Sequence, residues 1–158
     1  MKKILITNIG FKKLKKKLNY LKNIIRPKII KEIIKARAHG DLKENAEYHS
    51  AKEQQNFCEN KIKEFELKLI FSKIIDITKI PNNGIVLFGT TVTIINLYNK
   101  KVSKYRIVGD DESNIKKNLI SVNSPIAKNL INNKINDILF IKTPLGFIKY
   151  KILKIEYI

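Results

Sequence analysis

The sequence predicts an α+β protein: an N-terminal antiparallel helical hairpin of coiled-coil type, then a mostly antiparallel sheet domain with a short helix. Three observations predict it. Apolar residues recur every three or four positions in the first half and every two in the second. Gly40 stands alone between Gly10 and Gly84, where a long helix would have to turn. The sign of the charge reverses around that glycine.

Residues 11 to 75 read as helix. Leu14, Leu18, Leu21 and Ile25 are spaced four, three, four, and Cys58, Ile62, Phe65 and Leu69 repeat the spacing, as in a coiled-coil seam. Each arm of about 30 residues would span roughly 45 Å. Pro27 lacks an N–H and disfavours helix at Arg26, which predicts a kink or a short break. The hairpin occupies residues 1 to 76, with its tip near 39 to 48. Residues 77 to 84, ITKIPNNG, form a linker.

The domain from 85 to 158 follows period two. TVTIINLY, KYRIVG, LISV, DILFIKT and FIKYKILKI carry the β-branched and alternating character of strands. Pro144-Leu145-Gly146 predicts a turn between the last two. Ser124-Pro125 before IAKNLIN predicts a short helix with Ser124 at N-cap and Pro125 at N1.

The chain has 158 residues and a formal charge of +18. Only Arg26, Arg37 and Arg106 of its 32 basic residues are arginine. Isoleucine, lysine and asparagine crowd the whole length, and their AT-rich codons tie part of the lysine to genome bias. Lysine also lacks the planar fork that reads phosphate and bases, so the distribution of charge says more than its sum. One cysteine, Cys58, excludes an internal disulfide and a multi-cysteine metal site. No apolar run approaches the roughly 20 residues of a membrane helix, and the N-terminus lacks the h-region and cleavage site of a signal peptide. A soluble, cytoplasmic protein without a membrane partner is expected.

Residues 1 to 38 hold 13 basic side chains and one acidic, Glu32. Residues 39 to 50 hold Asp41, Glu44 and Glu47 against Lys43 alone. A basic stalk therefore ends in an acidic cap. One reading is helix capping: Gly40 at C′, Asp41 at N-cap and Glu44 at N3 of the second helix. The other is metal delivery. Two carboxylates three residues apart on one helix face offer oxygens to a hard cation such as Mg²⁺. With two protein ligands the site fills only when a partner supplies more. No stable cofactor is expected on the chain alone.

The run ARAHGDLKENAEYHSAKEQQNFCENKI resembles the tip and second helix of the Gre transcript elongation factors, GreA type. The resemblance continues through SKIIDITKIPNNG, FGTTVTIINL, YRIVGDDE, NLISVNSPIAKNLI and IKTPLGF, and so covers essentially the whole chain. It implies a monomeric factor whose coiled coil enters the secondary channel of bacterial RNA polymerase. Asp41 and Glu44 would share Mg²⁺ with the polymerase active site, which cuts the 3′ end of backtracked RNA and rescues arrested complexes. The factor would activate the polymerase's nuclease and not be an enzyme itself. Arg37 and Lys52 would contact the nascent RNA 3′ end; arginine is common at the second position, so lysine gives up bidentate phosphate contact there. The C-terminal domain would be FKBP-like and dock on the polymerase, with Ser121, Ser124 and Pro125 facing it. A non-cleaving channel-binding regulator is the alternative, discriminated by the acidic tip, which is intact. A prolyl isomerase with a helical arm would need an aromatic-lined pocket that residues 85 to 158 hardly supply.

Other residues read as structural. His39 and His49 lack the further ligands of a zinc site. Tyr48 and Phe57 read as packing more than RNA stacking. Cys58 falls on the seam, and Asp110, Asp111 and Glu112 read as caps of a turn or helix, with docking to polymerase the lesser reading.

Overall fold

A computed structural model describes the chain over residues 3–40 and 45–158. The chain divides into two compact units. Phe11–Ser72 form one, and Lys3–Gly10 together with Lys73–Ile158 form the other.

In the first unit α1 (Asn8–Tyr20) runs through a π-helical turn (Leu21–Ile25) into α2 (Arg26–Arg37), and α3 (Ala46–Phe71) returns. On α3, Tyr48, Ala51, Gln55, Cys58, Ile62, Phe65 and Leu69 keep an unbroken heptad spacing. Ala51, Cys58 and Ile62 are buried against Leu18, Ile29 and Ile33, with Leu21, Ile25, Tyr48, Phe65 and Leu69 around them. Burial pushes the Cys58 thiol up in pKa and keeps it a small apolar group. The outer flank is tied by Arg26, whose Nε and Nη2 donate to the two Glu59 oxygens at 2.7 and 2.8 Å. Lys22 pairs with Glu66 one turn away.

The break expected at Pro27 takes the form of a π turn just before it. The backbone stays helical, and Ile25 and Arg26 have φ, ψ of −72°, −49° and −56°, −50°. The Arg26 N–H donates to the Leu21 carbonyl five residues back, the signature of a π turn. That wider turn accommodates a residue with no N–H to give and a ring that crowds the carbonyl four residues earlier. It also inserts one residue into the seam. An uninterrupted heptad would continue from Ile25 to Lys28, Glu32 and Lys35; the chain instead buries Ile29, Ile33 and Ala36.

Ser72–Ile75 is a strand, β2, not the end of the helix, and it pairs with β1 (Ile4–Thr7). Within 77 to 84, Ile77–Lys79 form a 3-10 turn capped by Asp76, and Ile77 is only 1% exposed beneath Gly89. The rest of the stretch is more open, with Pro81, Asn82 and Asn83 exposed and without regular structure before Gly84.

The second unit is a five-stranded sheet in the order β5-β4-β3-β7-β6, formed by β3 (Thr91–Asn96), β4 (Val102–Val108), β5 (Leu119–Ser121), β6 (Ile138–Thr143) and β7 (Gly146–Glu156). All neighbours are antiparallel except β4 and β5, which run parallel. The predicted strands and the tight turn before Gly146 (φ +117°) are all present. One face buries Val92, Ile94, Ile107 and Ile152, with Ala127 and Leu130 of α4 (Pro125–Leu130) beside them. Ser124 caps α4 as expected, its Oγ accepting from the Ala127 N–H at 3.3 Å.

Glu112 fastens the N-terminal strand. Its carboxylate accepts from the Thr7 N–H at 3.1 Å, from the Thr7 hydroxyl and from the Gly109 N–H at 3.0 Å. Thr7 Oγ1 in turn accepts from the Gly10 N–H at 3.0 Å and so caps α1. The capping reading of the acidic cluster is therefore right for Glu112, and it acts over 105 residues of sequence.

Candidate functional site at the hairpin tip

The tip is built from two helix ends. At the end of α2, the His39 and Gly40 N–H groups donate to the Ala36 and Arg37 carbonyls at 3.2 and 3.4 Å. Gly40 has φ +104°, a conformation that only glycine adopts without strain. The start of α3 is capped by Asn45, not by Asp41: Asn45 Oδ1 accepts from the Tyr48 N–H at 3.1 Å. The same side chain donates from Nδ2 to the Ala36 carbonyl at 2.7 Å. One asparagine thus satisfies a donor of the outgoing helix and a carbonyl of the incoming one. The second helix starts at Ala46. Asp41 and Glu44 themselves lie outside the described residues.

Arg37, in the last turn of α2, has its guanidinium carbon 6.0 Å from the Tyr48 ring centroid. Tyr48 meets His49 edge to face at 5.8 Å. His39 Nε2 lies 3.8 Å from a Glu47 oxygen. Lys52, one turn and a half into α3, donates to Gln55 Oε1 at 3.0 Å. Phe57 is 67% exposed, with Lys61 Nζ 5.9 Å from its ring centroid; it does not pack as expected. Among the described residues no three His, Cys, Asp or Glu side chains converge as a metal site.

The three C-terminal candidates share one short segment. Ser121 ends β5 and its hydroxyl donates to the Asp110 carboxylate. Asn123 Nδ2 donates to the other Asp110 oxygen at 2.8 Å, and the Asn123 N–H donates to Ser121 Oγ at 3.0 Å. Ser124 is the cap of α4 and Pro125 its first residue. Ser121 and Ser124 are thus held by local hydrogen bonds. The Ser121 and then the Asn123 hydrogen bonds keep the Asp110 carboxyl below the usual carboxylate range. A depressed carboxyl contributes stability above its ordinary pKa and loses it as pH falls through the folded value. Asp110→Asn is therefore expected to be less stable than the parent at pH 6, with the gap closing below about pH 4. Urea midpoints measured between pH 6 and pH 3 check this, and a gap constant across that range would refute it.

The fold defines an α+β protein with a helical hairpin unit and a sheet unit. Residues 4–74 match the family model described as transcription elongation factor, N-terminal, and residues 81–157 match that of the GreA/GreB C-terminal domain. The chain is 61% identical over 152 residues to transcription elongation factor GreA of Buchnera aphidicola subsp. Baizongia pistaciae, covering 96% of each. It is 56% identical over 158 residues to GreA of Yersinia pestis bv. Antiqua, covering 100% of each. Among solved structures, GreA factor homolog 1 of Thermus thermophilus matches 98% of this chain and 99% of its own, at 20% identity and a TM-score of 0.44. The chain belongs to the GreA/GreB family of transcription elongation factors. No helix among the described residues is long and apolar enough to cross a membrane.

Proposed function

We propose that this chain is a monomeric cytoplasmic factor that enters the secondary channel of bacterial RNA polymerase hairpin first and stimulates cleavage of backtracked RNA. The observation that carries the reading is the pair Asp41 and Glu44, set between Gly40 and Asn45 in a chain that covers 100% of its Yersinia pestis GreA relative. Two carboxylates suit Mg²⁺ by donor type and fall short of its six ligands, so the polymerase must provide the others. Bound there, Mg²⁺ supplies the Lewis acidity of two-metal phosphodiester hydrolysis. Everything else is positioning by this chain. Asn45 ties the base of the loop to both helices. Arg37 and Lys52 offer cations to the phosphates of the RNA 3′ segment. Ser121, Ser124 and Pro125 face the polymerase from the second unit. The chain activates the polymerase's own nuclease and carries no complete active site.

The test is Asp41→Asn with Glu44→Gln on stalled, backtracked polymerase. The N-cap of α3 is Asn45, so the double variant leaves helix capping untouched. The expected result is an unchanged circular dichroism spectrum, unchanged affinity for polymerase and cleavage reduced at least a hundredfold. Normal cleavage by the double variant would remove the metal-delivery role.

A further inference from the structure

The hairpin of β6 and β7 has two unlike faces. Leu139, Ile141 and Ile152 point into the core, at 7%, 3% and 0% exposure. On the opposite face the register places Ile138 across from Lys151, Phe140 across from Lys149, and Phe147 across from Lys142. Every one of these cross-strand pairs joins an apolar side chain to a lysine. Phe140 and Phe147 are 56% and 62% exposed. Lys149 Nζ sits 5.3 Å from the Phe140 ring centroid. No carboxylate occurs between Ile138 and Ile155.

Two exposed aromatic rings on adjacent strands are costly to leave in water, and packing against the sheet does not explain them. Phe140 and Phe147 are diagonal neighbours, about 7–8 Å apart in such a ladder. Bases splayed from a single strand stack on aromatics of neighbouring strands at such sites, while lysines meet the phosphates. An apolar protein groove would call for contiguous apolar surface. Here apolar groups and cations alternate, matching the alternation of flat base and charged phosphate along one strand. A duplex hides its base faces and would meet only the lysines.

We propose that this outer face of the β6–β7 hairpin is a platform for single-stranded RNA, with Phe140 and Phe147 stacking two bases and Lys142, Lys149 and Lys151 contacting the backbone. The choice of RNA rests on the family, which works during transcript elongation. The site is separate from the hairpin tip and does not depend on the cleavage role.

The full chain, labelled with nitrogen-15, is titrated with a ten-residue oligouridylate and followed by amide chemical shifts. Saturable shifts over Ile138–Lys151 are expected. Phe140→Leu with Phe147→Leu keeps the apolar area and removes the rings. It is expected to weaken this binding about tenfold with the remaining spectrum unchanged, as loss of base stacking does. Lys142→Gln, Lys149→Gln and Lys151→Gln together should reduce the salt slope of log affinity by about 2. Shifts confined to the lysines of α1, or full binding by the leucine variant, would overturn the proposal. Tighter binding of oligothymidylate than of RNA would overturn the assignment to RNA. Stronger shifts of the same amides with a polyglutamate peptide would identify an acidic protein partner instead.

Discussion

Replacing Glu112 with alanine is expected to destabilise the second unit by about 3 kcal/mol, read as a lower urea midpoint. The carboxylate accepts from two backbone N–H groups and a hydroxyl, and Thr7 is 2% exposed. Removing it strands donors that water reaches poorly, at roughly 1–3 kcal/mol each. Gly10 tests the same contact from the other side. A Cβ there would lie 2.1 Å from Glu112 Oε1. That oxygen ends a flexible chain but is held by the Thr7 hydroxyl, so yielding to the methyl group means giving up that bond. Gly10→Ala should therefore destabilise the parent chain. In the Glu112→Ala background it should be neutral or stabilising, by up to about 1 kcal/mol, because alanine is the better helix former. A double-mutant cycle decides the matter: additive effects of the two changes would show that the clash is not with Glu112.

The second large effect is expected at Asn45. Asn45→Ala removes both the cap on the Tyr48 N–H and the donor to the Ala36 carbonyl. Loss of an N-cap alone costs about 1 kcal/mol, and the second bond brings the total to about 2 kcal/mol. Asn45→Asp separates the two, since a carboxylate still caps α3 and complements its dipole but cannot donate to a carbonyl. Amide exchange should show faster opening at both helix ends in the alanine variant, and at the end of α2 alone in the aspartate variant. Equal protection in all three proteins would mean that the asparagine bridge carries no weight.

The contrast between these residues shows what the sequence can display. The hairpin was legible because its period is local: Cys58, Ile62, Phe65 and Leu69 are near in sequence and lie on one seam. The strands of the sheet were legible for the same reason, through period two. Ser72–Ile75 was not, because its apolar pair extends the helical pattern and only the distant β1 fixes it as a strand. Asp41 reads as the N-cap because Asp followed by Glu three residues on matches a capping box. Asn45 is an equally good cap residue with tyrosine at N3, so its signal was weaker. Asp110 and Glu112 looked like interchangeable turn caps, and only the fold separates them, one holding Ser121 and the other Thr7. At the candidate site, residue chemistry was local and readable as two carboxylates beside a glycine. The family was readable too, since GDLKENAEYH is specific, and the two matching family models cover both halves.

The extra residue of the π turn has a consequence for how this chain can change by insertion and deletion. One residue of helix is about 100° of rotation. Beyond Leu21–Ile25, every side chain up to Arg37 is therefore phased by that single insertion relative to Leu14 and Leu18. Closing the turn to a regular helix with no residue removed would swing Lys28, Glu32 and Lys35 toward α3, whereas deleting one residue there keeps Ile29, Ile33 and Ala36 on the seam. Either change would also return Pro27 to a regular helix that cannot hold it comfortably. The wide turn, the proline and the offset pattern of Ile29, Ile33 and Ala36 are thus expected to be gained or lost together among relatives, as one inherited character.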